Sequence, residues 1–161
     1  MKKSITLAAL LCFGLMSAQN AVTGRGDGKF NLGLTMQEGG TGIQISSDFG
    51  LGQNLSYGFV AGYVLSGDAI SQVDFIDRFD AKFRINANLG SFIKASPKFD
   101  VYPGLSLSLK NFGGHVGLRY FFTEGFGIFG EAGFPIAKYD TQASGFNNQS
   151  VFVLGASFNL N

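Results

Sequence analysis

Cysteine is almost absent: the 161-residue chain has one, Cys12, and it lies in an N-terminal segment expected to be removed. A mature chain without cysteine holds neither an intramolecular disulfide nor a thiolate metal site, and a thiol nucleophile is excluded. Charge is scarce too, at 14% of the chain, against roughly 25% in soluble domains. Histidine occurs once, as His115. Neither sign of charge dominates: the 12 Lys and Arg fall to 10 once Lys2 and Lys3 are removed, against 11 Asp and Glu. That balance predicts no nucleic-acid partner. After the N-terminal segment, no window approaches the about 20 apolar residues that a transmembrane helix needs.

The chain opens with Lys2 and Lys3, continues through an apolar run over residues 5–16, and then carries Ser17, Ala18, Gln19 and Asn20. Basic, apolar and small residues in this order read as a secretory signal peptide, with cleavage expected after Ala18. Residues 1–18 are assigned to the signal and residues 19–161 to one mature domain. Acylation at Cys12 is the lipoprotein alternative; bulky Leu11 before it and the short spacer argue against it.

Glycine (24 residues) and phenylalanine (18) are abundant, and the apolar residues fall in alternation. Eight segments have two unlike faces, the mark of β-strands. The first sets Phe30, Leu32, Leu34 and Met36 against Asn31, Gly33, Thr35 and Gln37. The fourth is the sharpest, with Phe79, Ala81, Phe83 and Ile85 opposite Arg78, Asp80, Lys82, Arg84 and Asn86. In the seventh, Ala137 is expected to share a face with Phe129 and Glu131. Turn-like stretches separate the segments. Every second connection is modestly longer, among them residues 67–74 and 139–149, and tight turns are expected at 52–54, 94–97 and 123–125. With the N-terminus on the periplasmic side, the longer loops fall outside. The alternation loses phase at residues 90–93, where a bulge or strand end is expected.

Periodicity alone fits a soluble sandwich or lipocalin-like barrel equally well. The composition of the second face decides. A solvated face would carry Lys, Glu and Thr, whereas this one is rich in Gly, Ser, Asn and Val, with charges on a few strands. Small residues suit the interior of an eight-stranded barrel, which side chains alone can fill, and the Phe- and Leu-rich face suits lipid. The expected fold is all-β: a single antiparallel up-and-down transmembrane β-barrel of eight strands.

With these strands and a closing segment that carries Gly155, Phe158 and Leu160, the mature chain resembles the small eight-stranded outer-membrane proteins of the OmpA-barrel and OmpX type. It also resembles barrels described only as outer-membrane β-barrel proteins. The resemblance implies a place in the bacterial outer membrane after signal cleavage and contact with outer-membrane lipid. It also implies that Gly155, Phe158 and Leu160 form the terminal signal read by the barrel insertion machinery, although that signal usually ends on an aromatic residue and here Asn161 follows. A monomer is expected, and the resemblance brings no peptidoglycan-binding domain with it.

Several motifs invite a chemical reading. Gly125, Gly127 and Gly130 spell G-x-G-x-x-G, but no helical pattern follows to seat a pyrophosphate, so strand glycines are expected. Arg25, Gly26 and Asp27 form an RGD triplet just before strand one and read as a turn. Asp74, Asp77 and Asp80 could gather a divalent cation, yet Asp77 faces away from the other two on a strand. His115 would need a serine and an acid within reach for a triad; Ser106 and Ser108 on the neighbouring strand are the candidates. No catalytic, cofactor or metal site is expected. The remaining constellation is Asp48, Arg78, Asp80, Lys82, Arg84, Asp100, Arg119 and Glu131, charges on the small-residue face that must pair when dehydrated. They are read as a structural plug. The expected function is a structural or surface-interaction barrel whose contacts are made by residues 67–74 and 139–149. The alternatives are a narrow pore or path for a small apolar molecule, and a lipid-modifying enzyme.

Overall fold

The computed structural model describes residues 24–67, 70–90, 98–139 and 145–160. The signal peptide and its cleavage site lie outside them, as does most of the 90–93 phase change. Eight strands follow in order: β1 (Gly28–Gln37), β2 (Gly40–Gly50), β3 (Leu55–Gly67), β4 (Phe79–Ala87), β5 (Phe99–Ser108), β6 (Asn111–Phe121), β7 (Phe126–Lys138) and β8 (Val151–Asn159). Each pairs antiparallel with the next, and β8 returns to β1 to close the barrel.

The alternation in the sequence becomes an inverted polarity. On β1, Leu32, Leu34 and Met36 point outward and are 47–65% exposed, while Asn31, Gly33 and Thr35 are buried inside. On β4, Asp80, Arg84 and Asn86 are buried while Phe83 and Ile85 face out. The largest fully buried side chains are the two arginines Arg84 and Arg119. Strands of 9 to 13 residues match the about 9 to 11 that a tilted strand needs to cross a bilayer core.

Local rules explain the departures from simple alternation. The β6–β7 register passes from Phe112↔Ala137 to Gly113↔Pro135 and skips Ile136. Pro135 has no N–H to give a ladder, so a bulge beside it is favourable. The extra residue leaves Ala137 exposed rather than inside as its parity predicts. A second skip, at Leu65, lies in the β2–β3 pairing.

The connections differ from the expected pattern. At the loop end, β1–β2 turns through Glu38 and Gly39 alone, with Gly39 at φ 69°, and β5–β6 turns through Leu109 and Lys110. Only the β3–β4 and β7–β8 connections are long there. At the opposite end, β4 stops at Ala87 and β5 starts at Phe99, so that connection is longer than the tight turn expected at 94–97. Between β3 and β4, residues Phe75–Arg78 form a short helix, α1. Arg78 therefore does not stand on β4 at all. It sits at the rim, where its Nε donates to the Val64 carbonyl at 2.9 Å and its guanidinium lies 4.6 Å from the Tyr63 ring centre.

Candidate functional site: the lumen

A charged layer crosses the middle of the barrel. Arg84 Nε and Nη2 donate to the two oxygens of Asp48 at 2.7 and 2.8 Å. Its Nη1 reaches Glu131 Oε2 at 2.7 Å, and Nη2 also donates to Ser46 Oγ at 3.0 Å. Arg119 Nη2 adds a 2.8 Å bond to Asp48 Oδ2. Two buried guanidinium groups thus share the Asp48 carboxylate on β2, and Arg84 also holds Glu131 on β7. The fork geometry matches the carboxylate, and charged hydrogen bonds of this kind are the strong class. Tyr102 packs between the cations: its ring centre lies 4.2 Å from the Arg119 guanidinium carbon and 5.9 Å from that of Arg84, placing the cations against an electron-rich face.

Glycines on the intervening strands make these meetings sterically feasible. Asp48 pairs with Gly58, and Gly58 with Arg84, so glycine occupies the row between the acid and the base. A Cβ there would lie 2.3 Å from Asp48 Oδ1. The same arrangement recurs at Gly104, which stands between Asn86 and His115 in the register. His115 Nε2 and Asn86 Oδ1 are 2.7 Å apart across it, and a Cβ on Gly104 would meet the imidazole at 2.6 Å. Gly117, opposite Tyr102, gives the phenol ring its space in turn.

Amides and hydroxyls extend the layer. Asn31 Nδ2 donates to Ser46 Oγ at 3.0 Å and to Asp48 Oδ2 at 3.3 Å, and Ser157 Oγ donates to Asn31 Oδ1 at 2.8 Å. Asn86 bridges Asp48 and Ser56. Cavities on the two sides are small. The one toward the loop end, bordered by Gln44, Ser106, His115 and Glu131, has a volume of about 30 Å³; the one toward the termini, bordered by Lys29, Asn88 and Arg119, about 10 Å³. A single water needs about 10 to 15 Å³, so the first chamber has room for about two waters and the second for about one at most.

At both ends, described residues cover part of the lumen in ways that the sequence pattern did not announce. At the loop end, residues 145–149 fold over the mouth instead of projecting from it. Phe146 is buried, and the Asn147 N–H donates to Gln37 Oε1 at 2.9 Å. Asn111 Nδ2 donates to the Asn147 carbonyl and to Asn148 Oδ1 at 2.8 and 3.1 Å. Asn147 adopts φ 62° to make this turn, a left-handed conformation that asparagine tolerates better than most residues. At the other end, Lys29 and Asp27 form a buried ion pair, and Lys29 Nζ also donates to Asn159 Oδ1 at 3.2 Å.

Of the eight charges read from the sequence, Asp48, Arg84, Arg119 and Glu131 meet in the layer. Asp100 stands opposite Arg119 in the register, and its Oδ1 accepts from the Gly90 N–H at 3.0 Å. Asp80 and Lys82 form their own pair at 3.4 Å. Arg78 is outside the lumen. The sequence pattern did not place Asp27 and Lys29 among the lumen charges, although both share the parity of Asn31 and extend its face by two positions. It left Tyr102 and Asn86 without roles. Asp27 of the RGD triplet is buried in its ion pair while Arg25 and Gly26 are exposed. Gly127 and Gly130 lie within β7. Among the described residues no three metal-ligating side chains gather. Ser106 and His115 border the same small cavity, but His115 Nε2 is engaged by Asn86, and Ser108 Oγ accepts from the N–H groups of Lys110 and Asn111. Gly155 stands opposite Gly33, Phe158 faces out beside Phe126, and the Leu160 N–H donates to the Gly28 carbonyl.

A closed eight-stranded antiparallel barrel with an apolar outer wall and an ion-paired interior is the outer-membrane type of β-barrel fold. Within that class, the chain belongs to the family of unknown function DUF6646, whose model matches residues 12–160. No curated protein matches it. Among solved structures it is similar to the N-terminal β-barrel domain of Pseudomonas aeruginosa OprF, with a TM-score of 0.60 and 13% identity over 85% of this chain and 99% of that one. It is equally similar to a de novo designed transmembrane β-barrel, with a TM-score of 0.60 and 10% identity over 86% and 99%. At such identities the likeness is one of fold.

Proposed function

We propose that this protein is a bacterial outer-membrane barrel that serves as a closed structural or surface-interaction element and does not conduct. The observation that carries the reading is Arg84, buried at the centre of the lumen and bonded at once to Asp48, Glu131 and Ser46. An ion crossing the barrel would have to break charge-assisted bonds that nothing in the narrow interior replaces. The outer wall supports contact with hydrocarbon: Leu34, Phe59, Leu107 and Leu154 stand 54–65% exposed, more apolar surface than a water-soluble monomer leaves open. The chain enters the membrane as a monomer with the help of the insertion machinery, and lipid is its standing partner. Any specific surface partner is met at the loop end.

The experiment is paired. Folded protein extracted from membranes should migrate differently on a gel before and after boiling, and the same protein in planar bilayers should show no stable ion-selective openings. Steady openings in the wild type that disappear in Arg84→Ala without loss of stability would replace the plug with a pore.

A further inference from the structure

We propose that α1 is a membrane-surface anchor that lays Phe75 and Ile76 into the boundary between lipid headgroups and acyl chains at the loop end. The inference rests on the barrel lying in a membrane, and its test separates the two. Phe75 and Ile76 are 65% and 62% exposed, and no residue of the helix is buried. Yet the helix is not loose. Arg78 donates to the Val64 carbonyl, Lys110 Nζ donates to the Asp77 carbonyl, and Asn147 Nδ2 donates to the Arg78 carbonyl at 3.2 Å. A segment held to the rim by three side chains still leaves most of the surface of its two largest apolar groups uncovered by the protein, so what covers that surface lies outside the barrel.

Continuity identifies the occupant as lipid. The Phe75 ring stacks on Phe79 at 6.0 Å and 11° and sits 5.1 Å from Tyr63. Tyr63 and Phe79 are register partners on the outer face of β3 and β4, so the helix extends the apolar wall past the last ladder pair. Exposed Asp74 and the rim cation Arg78 flank the two apolar residues. Polar and apolar groups side by side on one helix are what the headgroup boundary accommodates.

The chain has no tryptophan, so a single substitution gives a unique fluorophore. Phe75→Trp and, separately, Ile76→Trp would be folded into phosphatidylcholine vesicles whose acyl chains are brominated either near the headgroup or near the terminal methyl. Phe83→Trp, on the outer face of β4, is the reference. The expected result is stronger quenching of the helix probes by the shallow bromines than by the deep ones, with Phe83→Trp quenched more by the deep ones. Helix probes that neither label quenches but aqueous iodide does, beside a quenched Phe83→Trp, would overturn the anchor and leave the barrel reading intact. Helix probes shielded from both lipid bromine and iodide would overturn it in favour of a second protein chain. Absence of quenching at Phe83→Trp would remove the membrane reading and the anchor with it.

Discussion

Asp48 and Arg84 meet across a strand that separates them. They stand on β2 and β4, with Gly58 of β3 between them in the register. Strands lie about 4.8 Å apart, which puts the two backbones nearly 10 Å from each other by about twice that spacing. The Arg84 side chain spans the gap because Gly58 offers no side chain to block it, and it closes on Asp48 at 2.7 and 2.8 Å.

Removing one partner should cost far more than removing both. Arg84→Ala leaves Asp48 and Glu131 short of a buried countercharge, and the expected loss is about 3 to 5 kcal/mol. The Arg84→Ala and Asp48→Ala pair should lose less than the sum of the single variants. Urea unfolding of protein folded in vesicles measures this, and additive losses would show that the pair does not act as a unit.

The glycine between the partners should resist enlargement. Gly58→Ala and Gly104→Ala place a methyl group 2.3 and 2.6 Å from Asp48 and His115 in the present geometry, and overpacking of this kind costs about 1 to 3 kcal/mol. Gly125→Ala, whose Cβ would meet nothing within 4 Å, should fall within about 0.5 kcal/mol of wild type. Equal stability of all three by the same unfolding measurement would mean that the lumen repacks freely.

Charge on the outer wall should be penalised by depth. Phe83 and Leu107 face each other across β4 and β5, and Phe83→Arg or Leu107→Arg should cost about 2 to 4 kcal/mol if they lie near the bilayer midplane. Phe126→Arg, at the first residue of β7, should cost about 0 to 1 kcal/mol. Folding yields and unfolding midpoints in bilayers distinguish the two positions, and equal tolerance at both would argue against a lipid-facing wall.

The mature protein should begin at Gln19. Mass spectrometry of the membrane-extracted chain tests this directly: an intact Met1 would contradict signal cleavage, and an acylated Cys12 would convert the chain to a lipoprotein.

Much of the architecture is written in the order of residues because strand faces are a local property. A strand sends successive side chains to opposite sides, so Phe83 and Arg84 had to part company whatever surrounded them. Alternation therefore determined the eight strands and their two faces, and the Gly-, Ser- and Asn-rich composition of the second face pointed to the inversion that puts Leu34 outside and Asn31 inside. It also grouped Asp48, Arg84, Arg119 and Glu131 on one wall. What it could not reach was register, because pairing depends on the stagger of strands far apart in sequence. Only the closed barrel puts Gly58 between Asp48 and Arg84, and Gly104 between Asn86 and His115. Only there does the skip at Ile136 turn Ala137 outward, since one unpaired residue reverses the parity that follows it. The helical turn that carries Arg78 to the rim and the fold of residues 145–149 over the mouth were likewise tertiary decisions. Both segments lack periodicity, and partners on other strands and turns hold them: Val64 and Lys110 for the first, Gln37 and Asn111 for the second.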